Sequence, residues 1–153
     1  MEEGISLIAQ IKDVFALPQV DVKSYSPLTL AYIGDDVYDV VIRTIVVEKA
    51  NRSAHDLHTI SSHFVKAKTQ AEMIEALQDV LTEEEEAVYK RGRNAKAYTT
   101  AKNASVADYR KATGLEALIG YLYLSDRMDR VLFLIKEGLD RIEESKWATK
   151  NLP

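Results

Sequence analysis

No cysteine occurs in the 153 residues. That removes disulfides, thiolate metal sites and thiol nucleophiles together, and suits a reducing compartment. Histidine is nearly as scarce. His55, His58 and His63 are the only three, clustered on one stretch without zinc spacing and without a serine–histidine–aspartate arrangement. His55 and His58 read as residues of a wet helix face. There is no internal repeat, no low-complexity segment and no glycine-rich phosphate loop. No apolar run approaches membrane-spanning length, and Met1-Glu2-Glu3-Gly4 lacks the basic start and long apolar core of a signal peptide. A cytoplasmic protein without a membrane partner is the expectation.

What the chain does have is apolar mass. Hydrophobic residues make up 46% of it, enough for a packed core and too many for disorder. Its length fits a single domain, 1–153, with no sign of a linker. Net charge is −4, which argues against a polyanionic partner, but the charge is uneven. Between residues 90 and 111 the basic side chains Lys90, Arg91, Arg93, Lys96, Lys102, Arg110 and Lys111 face only Asp108. One basic segment on an acidic body marks where a nucleic acid would land; lysines that merely solvate a loop are the plain alternative.

Apolar spacing predicts helices throughout. Residues 5–15 carry Ile5, Leu7, Ile8, Ile11, Val14 and Phe15 at helical intervals. Ser26-Pro27 is a capping hydroxyl with proline in the first turn. A long helix follows to about Lys49, apolar on more than one face and therefore central or shared with a partner. The next stretch starts at Asn51 or Ser53 and reaches about Leu77 with a break near Lys66. Thr82 with Glu85 forms a capping box, so the run Glu83–Glu86 reads as a helix start rather than a metal site. Gly92 is expected to end that helix, and a basic loop to span Arg93 to about Ala104. Ser105 then caps a helix to Leu124, a last helix spans about Arg127 to Glu144, and Trp147–Pro153 reads as frayed. A solvated helix face is at least as good a reading of Lys66 and Lys68 as a contact to a nucleic acid.

Two acids stand on otherwise apolar helices. In Leu30-Ala31-Tyr32-Ile33-Gly34-Asp35-Asp36-Val37-Tyr38-Asp39, Asp35 and Asp39 share a face. Glycine within a helix costs about 1 kcal/mol relative to alanine, so Gly34 asks for a close neighbour. In Thr113-Gly114-Leu115-Glu116-Ala117-Leu118-Ile119-Gly120 the pattern recurs around Glu116. Two helices packed through glycines, each bringing a carboxylate, would form a site for a hard dication, magnesium or manganese. An ordinary surface acid or the partner of a basic side chain is the alternative at each position.

The first of these segments resembles the signature helix of the ribonuclease III family, usually written Leu-Glu-Phe-Leu-Gly-Asp. The second, with Tyr123-Leu124 following, resembles that family's Asp-x-x-Glu-Ala-Leu-Ile-Gly motif. With Arg91-Gly92-Arg93-Asn94-Ala95-Lys96 between them, the motifs are most similar to the mini-ribonuclease III branch, a bare catalytic domain. The resemblance covers about residues 20–145. It implies an all-α, homodimeric bundle and a magnesium-dependent endoribonuclease, manganese substituting, that cuts double-stranded RNA, with precursor 23S ribosomal RNA as the expected substrate. It places the catalytic and metal-binding roles on Asp35 and Glu116. Ala31 and Thr113 stand where the fuller pattern has two further acids, which leaves Asp39, or Thr113 through water, as supplementary ligands. RNA contacts fall to Lys90, Arg91, Arg93, Asn94, Lys96 and Lys102, and the dimer contact to Tyr32 with Ile33, a core aromatic being the other reading of Tyr32. No further double-stranded RNA-binding domain is expected, so affinity for generic duplex should be weak and salt-sensitive.

Two other readings stay open at the level of sequence. One is a catalytically weak or inactive dimeric RNA-binding or ribosome-associated module, given Ala31 and Thr113. The other is a helical protein-interaction domain with no RNA role, which would explain the acidic charge.

Overall fold

Residues 5–95 and 105–142 are described by the structure, a computed structural model, and every regular element among them is helical. The starts follow the local chemistry. Ser6 caps α1 (Leu7–Val14) by accepting from the Ala9 N–H. After a 3-10 turn at Val22–Ser24, Ser26 accepts from the Thr29 N–H and Pro27 opens α2 (Pro27–Lys49). Ser53 caps α3 (Ala54–Val65), and an extended Lys66 separates it from α4 (Ala67–Ala76), at the expected break. Both bonds of the Thr82/Glu85 capping box are made at the head of α5 (Glu83–Asn94). Ser105 caps α6 (Val106–Leu124), and α7 (Met128–Arg141) follows. No helix among the described residues is long and apolar enough to cross a membrane.

Two boundaries differ from expectation. Gly92 does not end α5, which continues to Asn94. The reason is packing: a Cβ on Gly92 would come 2.7 Å from the Ala117 Cβ and 3.0 Å from the Gly114 Cα, so this glycine lets α5 approach α6. Helix α7 closes at Arg141, with Ile142 extended, short of Glu144. Residues 143–153, which include the tail Trp147–Pro153, lie outside the described residues.

Helix α6 is the axis of the molecule. It is buried on nearly every side, packing most extensively against α2 and then against α5 and α4. Its contact with α2 is backbone on backbone. A Cβ on Gly34 would lie 1.7 Å from the Glu116 carbonyl oxygen, and one on Gly120 would lie 1.9 Å from that of Leu30. Both glycines therefore repay their helix cost by letting the two axes close up. Around this crossing the core is filled by Leu30, Tyr38, Ile42, Leu118 and Leu122, each large side chain contributing about 1.5–3 kcal/mol by burial. Tyr38 ties three helices together: its hydroxyl donates to the Phe64 carbonyl at 2.7 Å and lies 3.3 Å from the Met73 sulfur.

Candidate active site

Close contact between α2 and α6 dictates where two acids must meet. Asp35 follows Gly34 directly, and the carbonyl that Gly34 packs against belongs to Glu116. Asp35 is exposed and Glu116 half-buried. Their side chains are close enough for one carboxyl to hydrogen-bond to the other. Burial, this hydrogen bond and the Asp35 charge push the Glu116 carboxyl up to about 9, while the nearby Gln70 side chain pulls the other way. Two carboxylates cannot both ionise cheaply in such a place, so one retains a proton.

Among the described residues no basic side chain pairs with either acid, and no third acid or histidine completes a metal-sized cluster. The pair thus offers oxygen donors alone, which suits a hard cation. Magnesium characteristically takes one or two carboxylates and fills its remaining positions with water and substrate phosphate. The residues present fit that pattern and would not suit zinc.

Other acids and polar groups around the pair are engaged. Asp39 is half-buried and lies 3.0 Å from Arg43 Nε. The Thr113 hydroxyl, one turn before Glu116, donates to the Tyr109 carbonyl at 3.0 Å. Asp36 is exposed and borders an apolar hollow with Ser6, Val37 and Val40. Burial, then the Glu116 and Asp39 charges, keep the Tyr38 hydroxyl neutral far into alkali.

The basic set is only partly in view. Lys90 pairs with Glu86 at 2.7 Å. Arg91 and Asn94 are exposed. Arg93 lies over the Tyr89 ring, 5.6 Å from its centroid, and its Nε donates to the Asn94 side-chain Oδ1 at 3.2 Å. Lys96 and Lys102 lie outside the described residues. His55, His58, Lys66 and Lys68 are exposed. Tyr32 is 78% exposed, and the neighbouring Ile33 lines an apolar hollow with Ile8, Tyr25 and Tyr123.

Sequence reasoning missed two residues beside the acids, Tyr38 and Gln70. The signal for Gln70 was its register. It falls three, four and seven residues before Met73, Ile74 and Leu77, which places an amide on the apolar stripe of α4.

The sequence profile of the Ribonuclease III domain matches residues 28–127. The mini-ribonuclease 3 of Enterococcus faecalis is 44% identical over 127 residues, 82% of this chain and 96% of that one. The mini-ribonuclease 3 of Clostridium tetani is 48% identical over 126 residues, 82% of this chain and 83% of that one. A crystal structure of a protein from Fusobacterium nucleatum superposes with a TM-score of 0.70 at 30% identity, covering 77% of this chain and 94% of that one.

Proposed function

Because the chain belongs to the ribonuclease III family and is an endoribonuclease of that type, we propose that it hydrolyses double-stranded RNA at the Asp35–Glu116 pair, with Mg²⁺, or Mn²⁺ in its place, held by the two carboxylates. The observation that carries this reading is the meeting at a glycine crossing of two acids that pair with no base among the described residues, with Glu116 pushed up to about 9 by burial and by Asp35. A bound dication would supply Lewis-acid polarisation of the phosphodiester and activation of water.

The chain's own residues do the rest. Exposed Asp35 presents its carboxyl at the surface, and the half-buried Glu116 carboxyl beside it would hold the cation from the other helix. Gly34 holds the two acids at a spacing set by backbone contact. Asp39, engaged by Arg43, and Thr113, whose hydroxyl donates to the Tyr109 carbonyl, would support the ion as supplementary ligands, Thr113 through water. Arg91, Arg93 and Asn94, together with Lys90, Lys96 and Lys102, meet phosphates and 2′-hydroxyls, since duplex RNA is read by shape rather than by base edges. Such contacts weaken as salt rises.

The enzyme acts as a homodimer in the cytoplasm. Exposed Tyr32 supports the dimer, because a large aromatic projecting from α2 beside an apolar hollow suits a partner copy. A twofold axis presents one acid pair to each strand, and so yields a staggered cut. The substrate is structured precursor 23S ribosomal RNA.

The test is cleavage of a labelled precursor 23S ribosomal RNA and of a plain duplex, with Mg²⁺, with Mn²⁺ and with EDTA, by the wild type and by Asp35→Asn and Glu116→Gln. Staggered, metal-dependent cuts by the wild type alone are expected. Binding without cutting at any metal concentration would favour the RNA-binding module instead. Neither binding nor cutting would overturn the RNA reading.

A further inference from the structure

Helix α4 packs against α6 and brings the Gln70 side chain within reach of Glu116. Gln70 is 2% exposed. Its Nε2 is sealed from solvent and reaches no acceptor in full hydrogen-bond geometry, yet the side chain is close enough to Glu116 to favour the ionised carboxyl. A buried donor without a partner is costly and asks for an explanation. The rest of the stripe, Met73, Ile74 and Leu77, is apolar and fully buried, so a leucine or methionine at position 70 would serve packing better. Tyr38, another polar group near Glu116, already commits its hydrogen to the Phe64 carbonyl.

We propose that Gln70 is a positioning residue: its Nε2 donates to the Glu116 carboxylate from the core side and fixes the plane of that carboxyl, so that it meets a dication together with Asp35. This rests on the reading of Asp35 and Glu116 as the metal-binding acids. Groups behind a metal ligand fix its orientation, and their removal typically lowers metal affinity about 10–100-fold.

The experiment titrates Mn²⁺ into RNA-free protein, following the free-ion signal by electron paramagnetic resonance, for wild type, Gln70→Leu and Glu116→Gln, with melting curves to check folding. Gln70→Leu should bind Mn²⁺ about 10–100-fold more weakly than wild type. Its cleavage should recover at high Mg²⁺, giving a shifted metal requirement with little change in the saturated rate. Wild-type Mn²⁺ affinity in Gln70→Leu, with Glu116→Gln deficient, overturns the role of Gln70 and leaves the acid pair standing. Equal Mn²⁺ binding by wild type and Glu116→Gln overturns both. Gln70→Met, which keeps the side-chain length, carries the same two outcomes if the leucine variant does not fold.

Discussion

Glu85 and Glu116 are the same side chain on helices that pack against each other, and the protein treats them in opposite ways. Glu85 is 0% exposed. Burial alone would raise its carboxyl. The Arg130 guanidinium, which donates from Nε at 2.7 Å and from Nη2 at 2.8 Å, and the Thr82 N–H at 2.9 Å outweigh burial and hold it below the usual range. Glu116 keeps some solvent contact, yet burial first, then its hydrogen bond to Asp35 and the Asp35 charge, push its carboxyl up to about 9, and no base among the described residues pairs with it. The first acid finds its counter-charge inside the chain and fastens the head of α5 to α7. On the proposed reading, the second takes its counter-charge from a bound dication. An acid satisfied internally is architecture, whereas one kept unsatisfied marks a place where stability yields to function.

Four outcomes would sharpen or break that contrast. The largest is in cleavage. Glu116→Gln should lose about 10³-fold or more in rate, because charge stabilisation by a bound metal is worth several kcal/mol and each 1.36 kcal/mol is tenfold. Single-turnover kinetics on a defined duplex measures it, and a loss under tenfold would remove Glu116 from the site.

Next comes stability. Arg130→Met strands Glu85 in the core and should cost about 3–5 kcal/mol in urea unfolding, while the folded fraction still cuts RNA. Severe loss of cleavage at unchanged stability would reverse the roles assigned to the two glutamates.

The third outcome is opposite pH dependence. In the metal-free protein, folded Glu116 keeps its proton to about 9, whereas the unfolded chain releases it near 4.5. The folded state then binds more protons in that window, so stability falls as pH rises through it. Glu116→Gln should remove this slope and be the more stable protein near pH 8, by roughly 1–3 kcal/mol. Glu85 runs the other way. Its contribution is complete above the ordinary carboxylate value and is lost as pH falls through its lowered folded value. Denaturant midpoints across pH for Glu116→Gln and Glu85→Gln test both signs.

The smallest effect belongs to the basic edge. Neutralising Arg91 and Arg93 together should weaken duplex binding about tenfold and flatten its salt dependence. An unchanged salt slope would detach this edge from RNA.

What could be read from sequence divides along the same line. The caps at Ser26, Ser53, Thr82 and Ser105 were legible because each hydroxyl acts within three residues of itself. The glycine crossing was legible because Gly34 and Gly120 are out of place in helices unless something comes close. Asp35 and Glu116 stood out as acids among apolar neighbours, and the motif resemblance paired them. Glu85 was legible only as a cap; its second partner, Arg130, is 45 residues away, and nothing local announces it. Gly92 misled for a related reason: a helix stop and a helix contact look alike until the neighbouring helix is present. Gln70 was passed over because a lone amide on an apolar stripe acquires meaning only from what α6 places against it.

The most direct test of the central claim, that Asp35 and Glu116 form a site completed by a dication, is thermal melting at pH 8. Wild type and Glu116→Gln would each be melted with EDTA and with excess Mn²⁺. Without metal the wild type should melt below the variant. Ligand at a hundredfold excess over its dissociation constant stabilises by about 2.7 kcal/mol, and for a chain of this size each kcal/mol raises Tm by about 2–4 °C. Mn²⁺ should therefore lift the wild type by several degrees, enough to bring it level with the variant or past it, and leave Glu116→Gln where it was. Equal shifts in the two proteins, or none in the wild type, would contradict the account.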